Sequence, residues 1–372
     1  MASPAEPKKS AEVDSSPASL AAENMYSLGE KGFLRQVLPG LYSDPRLVGG
    51  FGHDASVIEL ANAPFNLIQK IDRASHPVAL KRGWADHRSW GRMAVTANCS
   101  DILASGGEPV SCMVAVMVPG EEDADAVRDV IVGASDECRA RGVVYAGGDT
   151  KEAADAHVVG CCVGVIPKGG FLPRDTAEVG DKIFCAGRIG GFAGAYFLMQ
   201  KIYGGEIGRE TRCYTDYLSL PVAQWEVARE INSRRVARCG MDASDGVLDV
   251  LQTFAASGVG VEVNLERIPY HPFAVECAAK TGIPLTQFIF GGGDWNILYA
   301  VPAQSAERLT AEVGDRLPLF EIGEVTEEEG VWARSGTGER LPITGVVNEH
   351  FVSRIEDASG FMDHIERGSF IG

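Results

Sequence analysis

The first half of the chain alternates short apolar runs with two longer amphipathic stretches. Residues 54–60 (DASVIEL) and 66–71 (NLIQKI) are bounded by turn residues, which predicts two strands. Residues 123–141 carry apolar side chains at helical spacing, and Gly142 follows as a stop signal, which predicts a helix. The same criteria predict a helix over 89–105 that ends at Gly106-Gly107, and strands over 111–119 (SCMVAVMVP), 143–147 (VVYAG) and 157–167 (HVVGCCVGVIP).

The second half begins after the turn PKGG, near residue 169, and predicts a separate domain. Strands and helices alternate here without the strict rhythm of a doubly wound sheet, which favours an α+β fold with sheets covered on one face by helices. We expect domains at 25–168 and 169–372, preceded by a disordered tail over 1–24. The predicted elements of this half are strands over 181–186 (DKIFCA), 296–302 (NILYAVP) and 319–325 (LFEIGEV), and helices over 245–257 and 304–314.

Charge and composition narrow the functional classes. The net charge of −17 on 372 residues argues against a general nucleic-acid or membrane surface. No apolar run is long enough to span a bilayer, and the first residues lack the apolar core of a signal peptide. The nine cysteines include no C-x-x-C pair, so we expect buried thiols in a reducing cytoplasm rather than a zinc site.

A glycine-rich turn follows the strand predicted over 181–186. The sequence GRIGGFAG, residues 187–194, lacks G-K-[ST], and its glycines do not fall as G-x-G-x-x-G. Tight helix–strand packing explains it better than a nucleotide phosphate loop.

Several acidic residues stand at the ends of predicted strands and helices, often beside glycine. Each of them alone is explained by capping or by a turn. As a set they place carboxylates from distant segments where they can converge, and burying such a set without cations is expensive. Because every candidate ligand is oxygen, the set predicts Mg²⁺ or Mn²⁺, and with it phosphoryl transfer from a nucleotide. These residues are Asp54, Asp72, Asp101, Asp149, Asp242 and Asp245.

Five sequence blocks resemble the motifs of the aminoimidazole-ribotide synthetase (PurM-like) superfamily, in the same order. The chain looks most like the thiamine-monophosphate kinase group of that superfamily. The resemblance implies a two-domain α+β fold, a homodimer whose N-terminal sheets pair into a barrel, and ATP with Mg²⁺ in the cleft between the domains. The blocks are GFGHDASVIEL, NCSDILASGGEP, AGGDTKE, MDASDGVLDVL and FGGGDWNILYAVP, which lie between residues 50 and 302.

The resemblance also implies roles for particular residues. The six acids match metal-binding positions, with Asp242 and Asp245 also at the catalytic centre. The predicted ATP-binding residues are Asn98, Gly148, Asp149, Thr150, Lys151 and Ser244. The predicted acceptor contacts are Asp294 and Trp295 from the resemblance, together with His76 and Trp90, for which a core position is an equal alternative.

The chain departs from the kinase pattern at several positions. His53 stands where the group has a first Asp, and Lys151-Glu152 stands where it has Thr-Arg. Gly293 and Asn296 replace two Glu of the group's GGEDYEL motif. These changes leave most metal-binding acids in place and alter the acceptor side. The sequence therefore predicts an ATP-dependent phosphotransferase with an altered acceptor site, for which thiamine monophosphate is a poor substrate or none, and it does not identify the small-molecule acceptor.

Two further hypotheses remain open from the sequence. One is a synthetase that activates an amide or carboxyl oxygen by phosphorylation. The other is a nucleotide-binding homologue that has lost catalysis. The selenophosphate and hydrogenase-maturation branches are disfavoured because the thiol nucleophiles that their chemistry needs are missing.

Overall fold

The computed structural model describes residues 25–256, 258–345, 362, 365, 366, 368 and 371. The tail predicted over 1–24 lies outside these residues. Among them, the helices are α1 Met25–Val37, α2 Val78–Lys81, α3 Arg88–Ala104, α4 Ala124–Arg141, α5 Gly191–Phe197, α6 Arg212–Ser219, α7 Trp225–Arg234, α8 Val247–Ala255, α9 Pro272–Thr281 and α10 Ala303–Leu309. The strands are β1 Leu47–Val48, β2 Ser56–Ile58, β3 Phe65–Ala74, β4 Glu108–Val118, β5 Val144–Glu152, β6 His157–Pro167, β7 Lys182–Ala186, β8 Cys239–Asp242, β9 Gly260–Asn264, β10 Ile297–Val301, β11 Leu319–Thr326, β12 Gly330–Arg334 and β13 Arg340–Pro342.

The N-terminal half is built on a six-stranded mixed sheet in the order β1-β2-β3-β6-β4-β5. Strands β3, β6 and β4 pair antiparallel, and β5 pairs parallel with β4 at the edge. Helix α3 packs on β3, β4 and β6, and α4 packs on α3, β4 and β5. Helices α3 and α4 begin and end within one residue of the bounds predicted from the sequence. Asp123 caps α4 by accepting from the Asp125 N–H at 3.0 Å, and Gly142 ends it in the left-handed conformation.

The other face of this sheet carries no helix among the described residues. Apolar side chains are exposed there, and Ile71 of β3 is 68% accessible. Ile71 lies opposite Cys161, which lies opposite Met113, so these residues form one row across three strands. Over residues 25–345 the sheet ends at β1 and β5 and does not close on itself. A barrel built across a dimer is therefore left as a proposal.

The C-terminal half contains a seven-stranded mixed sheet in the order β13-β12-β9-β11-β7-β10-β8. Strand β10, which lies between β7 and the edge strand β8, is buried along its whole length. Helix α8 covers one face, whereas residues of α7 and α10 pack with Phe184 and Tyr299 on the other. The expectation that helices cover one face only is wrong for this sheet. The nearly continuous apolar strands DKIFCA and NILYAVP are typical of strands buried on both sides.

Two elements differ from the sequence predictions in ways that matter for the site. Strand β5 runs on through Gly147-Gly148-Asp149-Thr150 to Glu152, so this glycine-rich segment is strand rather than loop. Helix α8 begins at Val247, and Gly246 at its N-cap (φ 102°) provides no side-chain cap. The acids of the preceding turn therefore do not cap the helix, which was one of their expected roles.

The cysteines follow the sequence interpretation. All nine are free thiols, and seven of them are buried. Cys99, Cys112, Cys138 and Cys162 lie together in the core between α3, α4 and the six-stranded sheet. No helix within the described residues has the length and apolar character needed to cross a membrane.

Candidate active site

A cavity of about 360 Å³ lies between the two halves of the chain. One end is acidic and the other is aromatic. The acidic end is lined by Asp72, Asp101, Asp242, Ser244 and Asp245. The aromatic end is lined by Phe192, Tyr217 and Trp295, with His76 from the N-terminal half.

The acids reach the cavity from four different elements. Asp72 lies near the end of β3, and Asp101 lies in the last turn of α3. Asp242 is the last residue of β8, opposite Ile297 of β10, and Asp245 follows in the turn before α8. Strand ends and helix ends therefore place carboxylates together, as the sequence predicted. Asp54, two residues before β2, is buried and acts electrostatically on Asp101 and Asp242 without lining the cavity.

Burial shifts the titration of these acids. It raises the pKa of Asp242 to about 7, and the neighbouring charge of Asp54 acts in the same direction. It also raises the pKa of Asp245 to about 7, with further contributions from Asp249 and Asp72. Like charges held in a poorly solvated cleft disfavour ionisation. The acidic end therefore binds a proton or a cation readily near neutral pH.

Two basic side chains that the sequence analysis did not identify lie among the acids. Lys70 places its Nζ 2.8 Å from Asp101 Oδ2, and Arg174 places Nη1 3.1 Å from Asp54 Oδ1. These two bases offset part of the buried negative charge. The acids therefore do not depend on bound metal alone, in contrast to the sequence prediction. The available sequence signal for Lys70 was its position two residues before Asp72, which places the two side chains on the same face of a strand.

The remaining donor atoms fit a hard divalent cation. Asp54 Oδ2 and Asp242 Oδ2 are buried and have no hydrogen-bond partner among the described residues. Within that part of the chain, no three Asp, Glu, His or Cys side chains are arranged to hold a metal ion by themselves. The two unpartnered carboxylate oxygens are donors of the kind that Mg²⁺ takes, since it binds one or two carboxylates and completes its shell with water and substrate phosphates. His53, which replaces an acid of the family pattern, contacts the Gly49 carbonyl and Phe171 instead.

The residues predicted to bind nucleotide divide into two groups. Ser244 lines the cavity and donates to Asp242 Oδ1 at 3.1 Å. Asn98 is fully buried under Gly160 of β6 and does not line the cavity, and its Oδ1 has no partner in the described structure. The other four residues lie on β5, where all four are exposed and none lines the cavity. These are Gly148, Asp149, Thr150 and Lys151.

The position of β5 separates Asp149 from the other predicted metal ligands. Asp72 lies opposite Gly160, which lies opposite Val114, which lies opposite Gly148. Three strand spacings of about 4.8 Å put Gly148 roughly 14 Å from Asp72. Asp149 is the next residue and faces the uncovered side of the sheet. The sequence had predicted that all six acids converge. Within one chain, Asp149 does not converge with the other five.

The aromatic end contains two of the four predicted acceptor contacts. Trp295 lines the cavity and has a positive φ of 53°, which is rare for a bulky residue and is typical of functional sites. His76 lines it too, with its ring 4.4 Å from that of Trp90. Trp90 itself is 4% exposed, and its indole N–H donates to the Ala74 carbonyl at 3.1 Å. The structure therefore places Trp90 in the core, supporting His76 from behind.

Asp294 does not contact the cavity, contrary to its predicted role. Its Oδ2 accepts from the N–H groups of Gly190 and Gly191, at 2.6 and 3.1 Å. Its Oδ1 accepts from the Phe192 N–H at 2.7 Å and from the Tyr217 hydroxyl at 3.0 Å. The carboxylate thus satisfies the free N–H groups at the start of α5 and positions two aromatic residues of the cavity. The sequence could not show this because the partners lie about a hundred positions away.

We expect Asp294→Ala to destabilise the protein rather than only weaken acceptor binding. It leaves three buried backbone N–H groups without an acceptor, and we expect a cost of about 3 kcal/mol. The melting temperature should fall by roughly 6–12 °C for a domain of this size. Tyr217→Phe removes one of the four bonds and is the matched control, with an expected loss near 1 kcal/mol. Unchanged melting of Asp294→Ala would show that the carboxylate has no structural role.

Comparisons with known proteins agree with this geometry. The family model for the N-terminal domain of AIR synthase related proteins matches residues 52–166, and the model for their C-terminal domain matches residues 178–334. A thiamine-monophosphate kinase of Methanospirillum hungatei is 30% identical over 259 residues, covering 69% of this chain and 79% of that protein. A thiamine-monophosphate kinase of Rhodopirellula baltica is 26% identical over 331 residues, covering 86% and 97%.

Solved structures share the fold. A structure described as AaThiL complexed with AMPPCP and TMP superimposes with a TM-score of 0.74 at 24% identity, covering 88% of this chain and 99% of that one. The hydrogenase maturation protein HypE of E. coli is more distant, with a TM-score of 0.61 at 18% identity, covering 84% and 96%. The chain belongs to the AIR synthase related family and, within it, to the thiamine-monophosphate kinase group of ATP-dependent enzymes.

Proposed function

We propose that the protein transfers the γ-phosphoryl group of ATP, with Mg²⁺ or Mn²⁺, to a small-molecule acceptor other than thiamine monophosphate. The observation that carries the proposal is one cavity with carboxylates at one end and aromatic side chains at the other. Phosphoryl transfer needs positioning and charge neutralisation more than a dedicated base. The acidic end is suited to the cation and the triphosphate, and the aromatic end is suited to the acceptor.

The residues at the acidic end have distinct roles in this proposal. Asp242 and Asp245 hold the catalytic cation, Asp54, Asp72 and Asp101 complete the acidic surroundings, and Ser244 faces the nucleotide phosphates, whereas the buried Asn98 acts from behind the cavity. A bound divalent cation would screen the charge of the transferring phosphoryl group. Asp149 and Lys151, which lie on the uncovered face of the sheet, can join the nucleotide site only from that face, whereas Gly148 and Thr150 lie on the other face of β5.

The acceptor end supports a substrate different from that of the named relatives. A Cβ atom added at Gly293 would lie 2.8 Å from Cγ of Phe192, so the Phe192 ring fills the space where the family's Glu would begin. Asn296 is buried and donates to the Arg188 carbonyl at 3.2 Å. Two carboxylates of the family pattern are thus replaced by an aromatic ring and a neutral amide.

Binding of an ATP analogue tests the nucleotide and metal parts of the proposal. Calorimetry with a non-hydrolysable analogue should show binding with Mg²⁺ and none with EDTA. Binding should also weaken below pH 7. Burial raises the pKa of Asp242 and of Asp245 to about 7, so below pH 7 protons compete with Mg²⁺ for these carboxylates. The affinity for Mg²⁺ should then fall by about tenfold per pH unit for each proton that it displaces. Tight binding in EDTA would refute the metal-dependent site.

A homodimer formed through the N-terminal sheet is the second part of the proposal. The uncovered face exposes Phe65, Ile71, Val110 and Met113, and a second copy of this chain would bury that surface. Light scattering at micromolar concentration should give twice the chain mass, and Ile71→Glu should shift it toward the monomer because a charge would be buried. A wild-type monomer would contradict the proposal. The free thiols are consistent with a cytoplasmic location, which we also propose.

A further inference from the structure

An ammonium group lies inside the acidic end of the cavity. Lys70 and Asp72 are two residues apart on β3, so their side chains lie on the same face of the strand. Lys70 Nζ lies 2.8 Å from Asp101 Oδ2, and the side chains of Lys70 and Asp101 are only 23% and 8% exposed. At this distance the ammonium and the carboxylate form a charge-assisted contact, which is short and strong compared with a contact between neutral groups.

Asp101 needs a nearby positive charge for two reasons. It is buried, and it lies in the last turn of α3, where the partial negative charge of the helix C-terminus disfavours a carboxylate. Lys70 supplies this charge as a compact cation with three N–H donors. Asp101 Oδ2 is thereby occupied before any metal arrives.

The other acids differ in whether a basic side chain contacts them. Arg174 contacts Asp54 Oδ1, whereas Asp54 Oδ2 and Asp242 Oδ2 have no partner in the described part of the chain. Lys70 and Arg174 thus each contact one carboxylate of the group formed by Asp54, Asp72, Asp101 and Asp242. The protein itself compensates Asp101, whereas Asp54 and Asp242 each keep one buried oxygen without a hydrogen-bond partner among the described residues.

We propose that Lys70 is a built-in counter-ion that takes the place of one divalent cation, so that Asp101 is held by Lys70 and not by metal. This inference rests on the proposed nucleotide function and concerns the ion composition of that same site. It makes Lys70 a residue of the nucleotide site that sets how many divalent ions load with each nucleotide.

Counting bound Mn²⁺ tests the inference. The number of ions per chain can be measured by electron paramagnetic resonance with a saturating non-hydrolysable ATP analogue. We expect Lys70→Met to bind one more Mn²⁺ than the wild type, because it frees Asp101, and Lys70→Arg to keep the wild-type number. Asp101→Asn should also keep the wild-type number, whereas Lys70→Met/Asp101→Asn should lose the additional ion.

The matched control is Lys182→Met, which removes a partly buried lysine paired with Glu324 in the other sheet. It should leave the Mn²⁺ number unchanged. Loss of an ion in Asp101→Asn, or an unchanged number in folded Lys70→Met, would overturn the inference. If Lys70→Met fails to fold, the Asp101→Asn count still decides. Failure of the wild type to bind the analogue at all would instead refute the proposed function.

Discussion

Thiamine monophosphate should be phosphorylated about a thousandfold less efficiently than a true substrate of a small-molecule kinase. The Phe192 ring fills the space beside Gly293, and Asn296 is neutral, so the acceptor end lacks two carboxylates of the family pattern. Loss of a charged partner in a partly desolvated site costs about 2–5 kcal/mol. Each 1.4 kcal/mol is roughly tenfold in rate, which gives the expected factor.

Steady-state kinetics with thiamine monophosphate, ATP and Mg²⁺ measure this directly. Intact binding of an ATP analogue in the same preparation is the control, because it separates a changed acceptor from a damaged nucleotide site. A kcat/KM on the order of 10⁴ M⁻¹s⁻¹ or more would show that the substitutions are neutral. The Lys151-Glu152 change should affect the use of thiamine monophosphate less than the sequence implied, because β5 does not reach the cavity within one chain.

Asp242→Asn should weaken Mg²⁺-dependent nucleotide binding by about two to three orders of magnitude. It removes the charge from a buried carboxylate whose Oδ2 has no protein partner and is available to a cation. Breaking a buried charge pair typically costs about 3–5 kcal/mol. The variant should fold, because Asn keeps the shape of Asp and burial already raises the pKa of Asp242 to about 7.

Asp249→Asn is the matched control for this variant. Asp249 is a buried acid of the same sequence stretch, but it pairs with Lys31 of α1 and does not line the cavity. Because Asp249 acts on the site only through its charge, which is felt by Asp245, calorimetry with an ATP analogue should show a much smaller loss of affinity for Asp249→Asn than for Asp242→Asn. Equal losses in the two variants would mean that Asp242 acts only through the local fold.

Hydrophobic pattern predicted most of the fold, and the errors have physical causes. Helix α4 and the strands around it follow from periodicity because each packs one face on the core, whereas α3 is buried on most sides and was predicted from its length and from the Gly106-Gly107 stop. The segment Gly147–Thr150 was expected to end a strand because Gly and Asp are rare in strands. It continues as β5 because β4 provides hydrogen-bond partners for its backbone, and because its position at the edge of the sheet leaves its side chains exposed to solvent.

The sequence predicted correctly those site residues whose position follows from the end of their own strand or helix. It missed those whose role depends on contact partners that are distant in sequence. Asp72, Asp101, Asp242 and Asp245 converge because the ends of their elements meet at the cavity. Asp294 looked like a contact residue, yet the N–H groups at the start of α5 satisfy it. Lys70 and Arg174 were missed because a pattern of acids does not reveal which bases fold against it.

The buried cysteines give the protein its own reporters of local opening. Cys99, Cys112, Cys138 and Cys162 lie in the core of the N-terminal half, whereas Cys185, Cys239 and Cys277 are buried in the C-terminal half. A buried thiol can be alkylated only while the structure around it is open, so its labelling rate measures the free energy of that opening. The two halves can therefore be followed separately in one wild-type sample, without introducing a probe. Labelling with and without nucleotide would reveal which half is held more tightly when the cavity is filled.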